Sequence, residues 1–405
     1  MRIIGIIAEY NPFHLGHLYH LTEAKKNSQS EGAIAIVSGS FLQRGEPAIV
    51  DKWVRTEMAL KAGIDLVLEL PVVFACRSAH WFAQGGVKSL AQTGIVSHLA
   101  FGAETNHLPQ LKMIATKLHN EDAIFSQTLN TYLTAGNSYP MARSLALRKL
   151  IPNENIDGLQ LEKPNNVLAL AYLRVLEEIN SSIEPLLIKR VGDYHELSPI
   201  AGIASASSIR HLIINRNPTW TQYLPKTSSN ILLKQFKDGK NPITLNSLEQ
   251  AILAVIKRMS LDDLKRIIEV TEGLENRLKE IIQETNSLEK LLAELKTKRY
   301  TYTRMQRLII HAFLNFTQDL STTEPQYLRI LGFNRKGQEL LRLIKRGSNL
   351  PIITKFARGY QEVSEQGRKM LDLEVLATDL YNLGFAKAEH RLGRQDFYRS
   401  PVIVD

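Results

Sequence analysis

Two histidines three residues apart, His14 and His17, stand in the run Asn11-Pro12-Phe13-His14-Leu15-Gly16-His17, directly after the apolar segment Ile-Ile-Gly-Ile-Ile-Ala at 3–8. A short buried strand followed by Pro, Gly and paired imidazoles puts both rings at the opening of a helix, where unpaired backbone N–H groups favour anionic oxygen. The chemistry this predicts is phosphate binding. As donors, the imidazoles can stabilise negative charge on phosphate oxygens. Pro12 suits the first helical turn, where its missing donor costs nothing, and Gly16 lets a nucleotide approach the helix backbone. Taken as metal ligands instead, His14, His17 and His20 have no Cys or clustered carboxylate nearby to complete a set, so no metal site is expected.

Positioning these groups calls for a parallel sheet. Segments 3–8, 32–37, 66–70 and 98–101 are short, apolar and bounded by Gly, Pro or Ser, and they alternate with helical spacing such as 19–26 and 52–62. In such sheets ligands lie beyond the carboxyl ends of the strands. The turns 9–17, 38–46, 69–71 and 102–104 are therefore expected to face one pocket. Gln43 and Arg44 in the second turn, followed by Lys52 and Arg55, suit a triphosphate or a carboxylate, since Arg can bind either through two parallel hydrogen bonds. Further along come Pro164-Asn165-Asn166, Lys189-Arg190 and the serine-rich helix start Ser205-Ala206-Ser207-Ser208-Ile209-Arg210.

A chain of 405 residues exceeds what one core usually fills, so two domains are expected, 1–215 and 216–405. Its 44% hydrophobic and 22% charged residues exclude a disordered chain. The single cysteine, Cys76, excludes an internal disulfide framework; a strand-like start and the lack of any run of about 18 apolar residues point to a cytoplasmic protein with no membrane segment. After about residue 212 the pattern becomes helical, with apolar faces such as Leu248, Ile252, Val255, Ile256 and Met259. The net charge of +9 is unevenly spread: residues 296–346 hold eleven basic side chains against three acidic ones. That excess predicts a polyanion footprint on the second domain.

The His-x-Gly-His run resembles the signature of the nucleotidylyltransferase superfamily, whose members cleave ATP between the α- and β-phosphates and join AMP to an acceptor. The ordered set Ala-Glu-Tyr-Asn-Pro-Phe-His-Leu-Gly-His, Gln-Arg-Gly-Glu-Pro-Ala, Phe-Gly-Ala-Glu, Pro-Asn-Asn and Ser-Ala-Ser-Ser-Ile-Arg, with Lys298-Arg299-Tyr300-Thr301-Tyr302-Thr303-Arg304 and Arg329-Ile330-Leu331-Gly332-Phe333-Asn334 downstream, is similar to the bacterial tRNA(Met) cytidine acetate ligase family over nearly the whole chain. The resemblance implies a Rossmann-like α/β domain with a parallel sheet, followed by a mainly α-helical domain that binds tRNA. It implies an enzyme that activates acetate with ATP as acetyl-adenylate and acetylates the exocyclic amine of the wobble cytidine of elongator tRNA(Met), with Mg2+ expected beside ATP. Carried over residue by residue, the ATP site would comprise Ile7, Ala8, Glu9, Tyr10, Asn11, Pro12, Phe13, His14, Leu15, Gly16, His17, Leu18, Tyr19 and His20, with Gly102, one or both of Asn165 and Asn166, and Arg190. His14, His17 and Arg210 would be catalytic. Lys298, Arg299, Arg304, Arg307, Arg335 and Lys336, from the basic stretch, are the expected tRNA contacts. The alternatives are an adenylyltransferase that makes a dinucleotide cofactor, which leaves the basic helical part without a purpose, and a non-catalytic RNA-binding protein, against which the intact histidines and Arg210 argue.

Overall fold

A computed structural model describes residues 1–120, 123–151, 159–189, 204–298 and 300–405. Among the described residues eight strands form one sheet: β1 (Ile3–Ala8), β2 (Gly32–Ser38), β3 (Leu66–Leu70), β4 (His98–Ala103), β5 (Glu184–Lys189), β6 (Leu328–Phe333), β7 (Ile352–Ile353) and β8 (Val402–Ile403). Their order is β5-β4-β1-β2-β3-β6-β7, with β8 also paired to β6. Strands β1 to β5 are mutually parallel, as expected, and the four strands legible in the sequence all form. The order reverses at β1 and β4, so a crevice opens beyond their carboxyl ends, where such sheets bind ligands.

The strands are buried because their residues alternate between two apolar layers. In β2, Ala33, Ala35 and Val37 pack with the helices α1 (Leu15–Ser28) and α2 (Lys52–Lys61), whereas Ile34 and Ile36 pack with the helices Ala79–Gln92 and Pro164–Glu178 on the other face. A sheet covered on both faces accounts for strands with no polar side.

The chain beyond residue 215 is mainly helical, as expected, yet it is not built around a core of its own. Its helices Leu245–Arg258, Leu274–Glu284, Leu288–Leu295 and Tyr302–Phe313 share one continuous apolar cluster with Ile3, Ile34 and Leu66. Strand β6 lies antiparallel against β3, pairing Phe333 with Leu66, and brings β7 and β8 with it. The expected boundary at 215/216 therefore marks a change in element type and not a gap between two cores. Just past that boundary, the helix Lys226–Lys237 sends Ile231 and Leu232 into the layer that covers α2.

A cluster of charges shut off from water joins these parts. Lys52 Nζ lies 2.6 Å from Glu69 and 2.6 Å from Asp396, and Arg329 Nη1 lies 2.7 Å from Glu69 and 2.6 Å from Asp396. Glu374 accepts a hydrogen bond from the Val72 N–H beside them. Burial, and then the neighbouring Glu69 carboxylate, push Glu374 above the ordinary carboxyl value of 4.5. Asp396 goes the other way: burial opposes its ionisation, but Lys52 and Arg329 outweigh burial and hold it low.

Removing one partner of such a cluster strands an uncompensated buried charge, so Asp396→Asn should cost about 3–5 kcal/mol of stability, read from the urea midpoint. Glu374 carries the opposite sign. Its folded form binds a proton that the unfolded chain has already lost above pH 4.5, so stability should fall as pH rises through the window up to its raised value. Glu374→Gln should flatten that fall, and an unaltered pH profile would show that Glu374 is ionised in the folded chain.

Candidate active site

The loop after β1 leads into α1, and the two histidines together cap that helix. His14 is the N-cap residue: its Nδ1 accepts from the Gly16 N–H at 3.0 Å, while Nδ1 of His17 accepts from the His14 N–H at 3.3 Å. A reciprocal capping box is thus built from imidazoles, where hydroxyl and carboxylate side chains usually serve. The rings stack 3.8 Å apart at 27°, and Tyr10 packs against the His17 ring at 5.0 Å. Because each Nδ1 accepts from backbone, a neutral ring must carry its proton on Nε2. Both histidines therefore present an N–H donor on the side away from the cap. Pro12 does not sit in the first helical turn as expected; it precedes the N-cap by two residues, across a cis peptide from Asn11.

A cavity of about 440 Å³ opens beyond the strand ends. Of the expected nucleotide contacts, Ile7, Ala8, Glu9, Tyr10, Asn11, His14, Gly16, His17, Tyr19, His20, Gly102, Asn165 and Arg210 line it. Pro12, Phe13, Leu15, Leu18 and Asn166 do not, because they pack beneath its wall or face away. Arg190 lies outside the described residues, although the adjacent Lys189 lines the cavity. Three of the four expected turns meet here; the turn after β3 does not, since Glu69 is held in the buried ion cluster. Lys52 and Arg55 are likewise not pocket cations. Lys52 belongs to that cluster, and Arg55, fully buried, donates to the carbonyls of Glu9 at 2.7 Å and of Gly39, tying together the ends of β1 and β2.

Hydrogen bonds separate the two asparagines that the sequence left equivalent. Asn166 is wholly buried: its Oδ1 accepts from the N–H groups of Glu104 at 2.9 Å and Thr105 at 3.2 Å, and its Nδ2 donates to the carbonyls of Leu159 at 2.7 Å and Gln160 at 3.1 Å. Asn165 stands at the cavity wall. Glu104 caps the helix Pro164–Glu178 by accepting from the Asn166 N–H at 2.8 Å and from Asn165 Nδ2 at 2.6 Å, which accounts for its place outside the cavity.

The Gln43–Glu46 turn and the helix Ala206–Ile214 also line the cavity, bonded to the loop that leads to His14. Ser205 caps that helix by accepting from the Ser208 N–H, and Arg210 donates to the Asn11 carbonyl at 3.1 Å and pairs with Glu46 at 3.2 Å. Glu9 accepts from the Gln43 N–H at 2.9 Å; burial raises its carboxyl, with that hydrogen bond opposing and Glu46 adding. The remaining wall is apolar, from Phe82, Phe101, Leu168 and Tyr172. Sequence reasoning missed these four residues, since helix and strand residues with apolar spacing look the same whether they fill a core or line a cavity. Among the described residues no group of three or more His, Cys, Asp or Glu could hold a metal ion, and no helix is long and apolar enough to cross a membrane.

The basic stretch divides into two. Near the cavity, the helix Tyr302–Phe313 abuts the Gln43–Glu46 turn so closely that a Cβ on Gly45, at φ +76°, would stand 2.5 Å from the Arg307 nitrogen. Lys298 is exposed, Arg304 stacks 4.7 Å over the Tyr300 ring, and Arg307 is only 8% exposed and paired with Glu269 at 3.4 Å. Arg299 lies outside the described residues. Arg335 and Lys336 are elsewhere: they open the helix Arg335–Gly347, whose Gly337 would, with a Cβ, come within 1.8 Å of the Asp65 carbonyl, at the amino end of β3. The structure therefore puts these two at the sheet edge opposite the cavity and does not join them to Lys298 and Arg304.

These features define a nucleotide-binding α/β protein with paired imidazole donors at a helix start, and the chain belongs to the HIGH Nucleotidyl Transferase family, which it matches over residues 1–396. It is 40% identical, over the full length of both chains, to a protein of Acetivibrio thermocellus named tRNA(Met) cytidine acetate ligase. It is 43% identical to one of the same name from a Thermoanaerobacter species, with 95% of this chain and 96% of that one covered. Among solved structures, Thermotoga maritima TmcAL matches without ligand at a TM-score of 0.95 and bound with alpha-thio ATP at 0.94, each 35% identical with full coverage of both chains.

The asparagine geometry yields a test. Asn166→Ala leaves buried N–H and carbonyl groups without partners, each costing about 1–3 kcal/mol, so it should lower the melting temperature by several degrees or more. Asn165→Ala should leave the melting temperature near that of the parent chain. Equal losses from both would show that the two side chains are both structural.

Proposed function

We propose that this chain is a tRNA(Met) cytidine acetate ligase, which uses ATP to acetylate the exocyclic amine of the wobble cytidine of elongator tRNA(Met). The observation that carries the reading is the imidazole cap of α1, whose two histidines line a cavity of nucleotide size, while full-length relatives bear the ligase name. An acetate oxygen attacks the α-phosphorus of ATP, pyrophosphate departs with the P–O electron pair, and acetyl-adenylate remains. The cytosine amine then attacks the acetyl carbon, AMP leaves, and N4-acetylcytidine is formed.

In the first step His14, His17 and the α1 start stabilise charge on the phosphates, and Arg210, braced by Glu46, approaches them from the cavity wall. Asn165, Gly102 and the turn after β1 hold the nucleotide, joined by Arg190. Mg2+ would come as part of the ATP substrate and would supply positive charge to the triphosphate oxygens, since no carboxylate cluster among the described residues would hold it. Lys298, Arg299 and Arg304 contact tRNA phosphates; Arg335 and Lys336 reach tRNA only as part of a second contact, distant from Arg304. Acting on tRNA, the enzyme works in the cytoplasm. A dinucleotide-forming adenylyltransferase is not favoured, because it gives no reason for an RNA-facing helical half and the relatives carry the ligase name.

The direct test is incubation with labelled acetate, ATP and total tRNA followed by nucleoside analysis, which should recover label in N4-acetylcytidine; label in no nucleoside would exclude the reading. His17→Ala should slow acetate-dependent pyrophosphate release on the order of 100-fold or more, the usual effect of losing one preorganised donor. A variant with parental rates would remove His17 from the chemistry. Replacing Lys298, Arg299 and Arg304 together should weaken tRNA binding and flatten its salt dependence, since each lost phosphate contact removes counterion release. Unchanged affinity and slope would identify these side chains as ordinary solvated charges.

A further inference from the structure

On the rim of the cavity, between its apolar wall and the helix Tyr302–Phe313, lies a cluster that the nucleotide chemistry does not use. Arg77 is only 4% exposed, yet among the described residues it has no carboxylate ion pair: its Nη1 donates to Ser321 Oγ at 3.1 Å, and its Nε is buried with no hydrogen-bond partner there. The guanidinium lies 3.7 Å over the Trp81 ring and 5.9 Å from Phe316. The nearest acid, Glu269, is shared: Arg307, Arg77 and Arg304 all act on it, and together with His311 they hold it low despite its burial. Three guanidinium groups thus face one buried carboxylate, which leaves the rim electropositive. Burial brings Arg77 down to about 10, with Arg307 adding to that effect and Glu269 opposing it. A buried cation short of an anion is costly unless a ligand supplies the charge.

Trp81 is half-buried and belongs to neither the core nor the cavity wall, although its neighbours Ala79 and Phe82 line the cavity. Arg77 covers one face of the indole, and His80 meets its ring at 5.3 Å and 73°. A rigid aromatic plane backed by a cation and flanked by more cations is how proteins hold single-stranded nucleic acid: bases stack on the ring, and the phosphates meet the charges. A peptide or lipid partner would leave the stacked guanidinium and the excess of arginines unexplained.

We infer that this rim binds the single-stranded RNA loop that carries the target cytidine, with one base stacked on the Trp81 face opposite Arg77 and the flanking phosphates drawn toward Arg304 and Lys298. The inference rests on the ligase reading and adds to it the surface that delivers the base to the cavity. Arg77 is a positioning residue here, fixing the indole plane and lending it charge.

The experiment measures affinity of the full-length chain for an elongator tRNA(Met) transcript beside acetate-dependent pyrophosphate release without tRNA. Trp81→Ala should weaken tRNA binding about 5- to 100-fold, the range expected for loss of one stacked base, while Trp81→Phe stays within about threefold of the parent. Pyrophosphate release should be unchanged in both. Of the chain's three tryptophans, Trp53 and Trp220 are buried, so tRNA should quench fluorescence in the parent chain and not in Trp81→Phe. Parental affinity in Trp81→Ala would overturn the inference while leaving the ligase reading intact. Loss of pyrophosphate release along with affinity would also overturn it, by making Trp81 a structural residue. A parent chain that binds no tRNA would overturn both readings together.

Discussion

Two cations and two carboxylates, Lys52, Arg329, Glu69 and Asp396, are locked together out of reach of water beside the carboxyl end of β3. Each comes from a different stretch of chain, two before residue 70 and two after residue 328. Because no one of these charges could stay buried alone, the second half of the chain cannot leave the sheet without exposing or stranding them. The pairing of β6 with β3, the shared apolar cluster and the placement of the helix Tyr302–Phe313 all follow from that attachment.

The cavity wall depends on the same economy of polar groups. α1 begins at a strand end where its first N–H groups would otherwise lack partners, and His14 and His17 satisfy two of them through their Nδ1 atoms. Arg55 secures the neighbouring strand ends from below, and Glu104 with Asn166 fixes the turn after β4. Groups that look like ligand contacts in the sequence are in several cases the braces that hold the true cavity residues in place.

The charge of the second half has two distinct uses. Arg329 is consumed in the ion cluster and Arg307 in its pair with Glu269, so neither is simply a surface cation. Arg335 and Lys336 face the amino edge of the sheet, while the helix that carries Arg304 and Arg307 abuts the Gln43–Glu46 turn of the cavity through the close contact of Gly45 with Arg307. A net excess counted along 296–346 could not reveal this division, because β6 carries the chain from one end of the sheet to the other between the two groups.

The sequence by itself determined the nucleotide-binding strand–turn–helix, the parallel order of the early strands and the family, because these rest on local spacing: apolar alternation, Pro and Gly at a turn, and histidines one helical turn apart. It could not tell Asn165 from Asn166, since adjacent identical side chains differ only in which one the fold turns inward. Nor could it show that Lys52 and Arg55 are buried braces, that the second half shares the core of the first, or that Arg77 and Trp81 stand at the cavity rim. Those outcomes depend on contacts between residues hundreds of positions apart, such as Lys52 with Asp396 and Gly45 with Arg307, and burial and partnership exist only once the tertiary structure has brought them together.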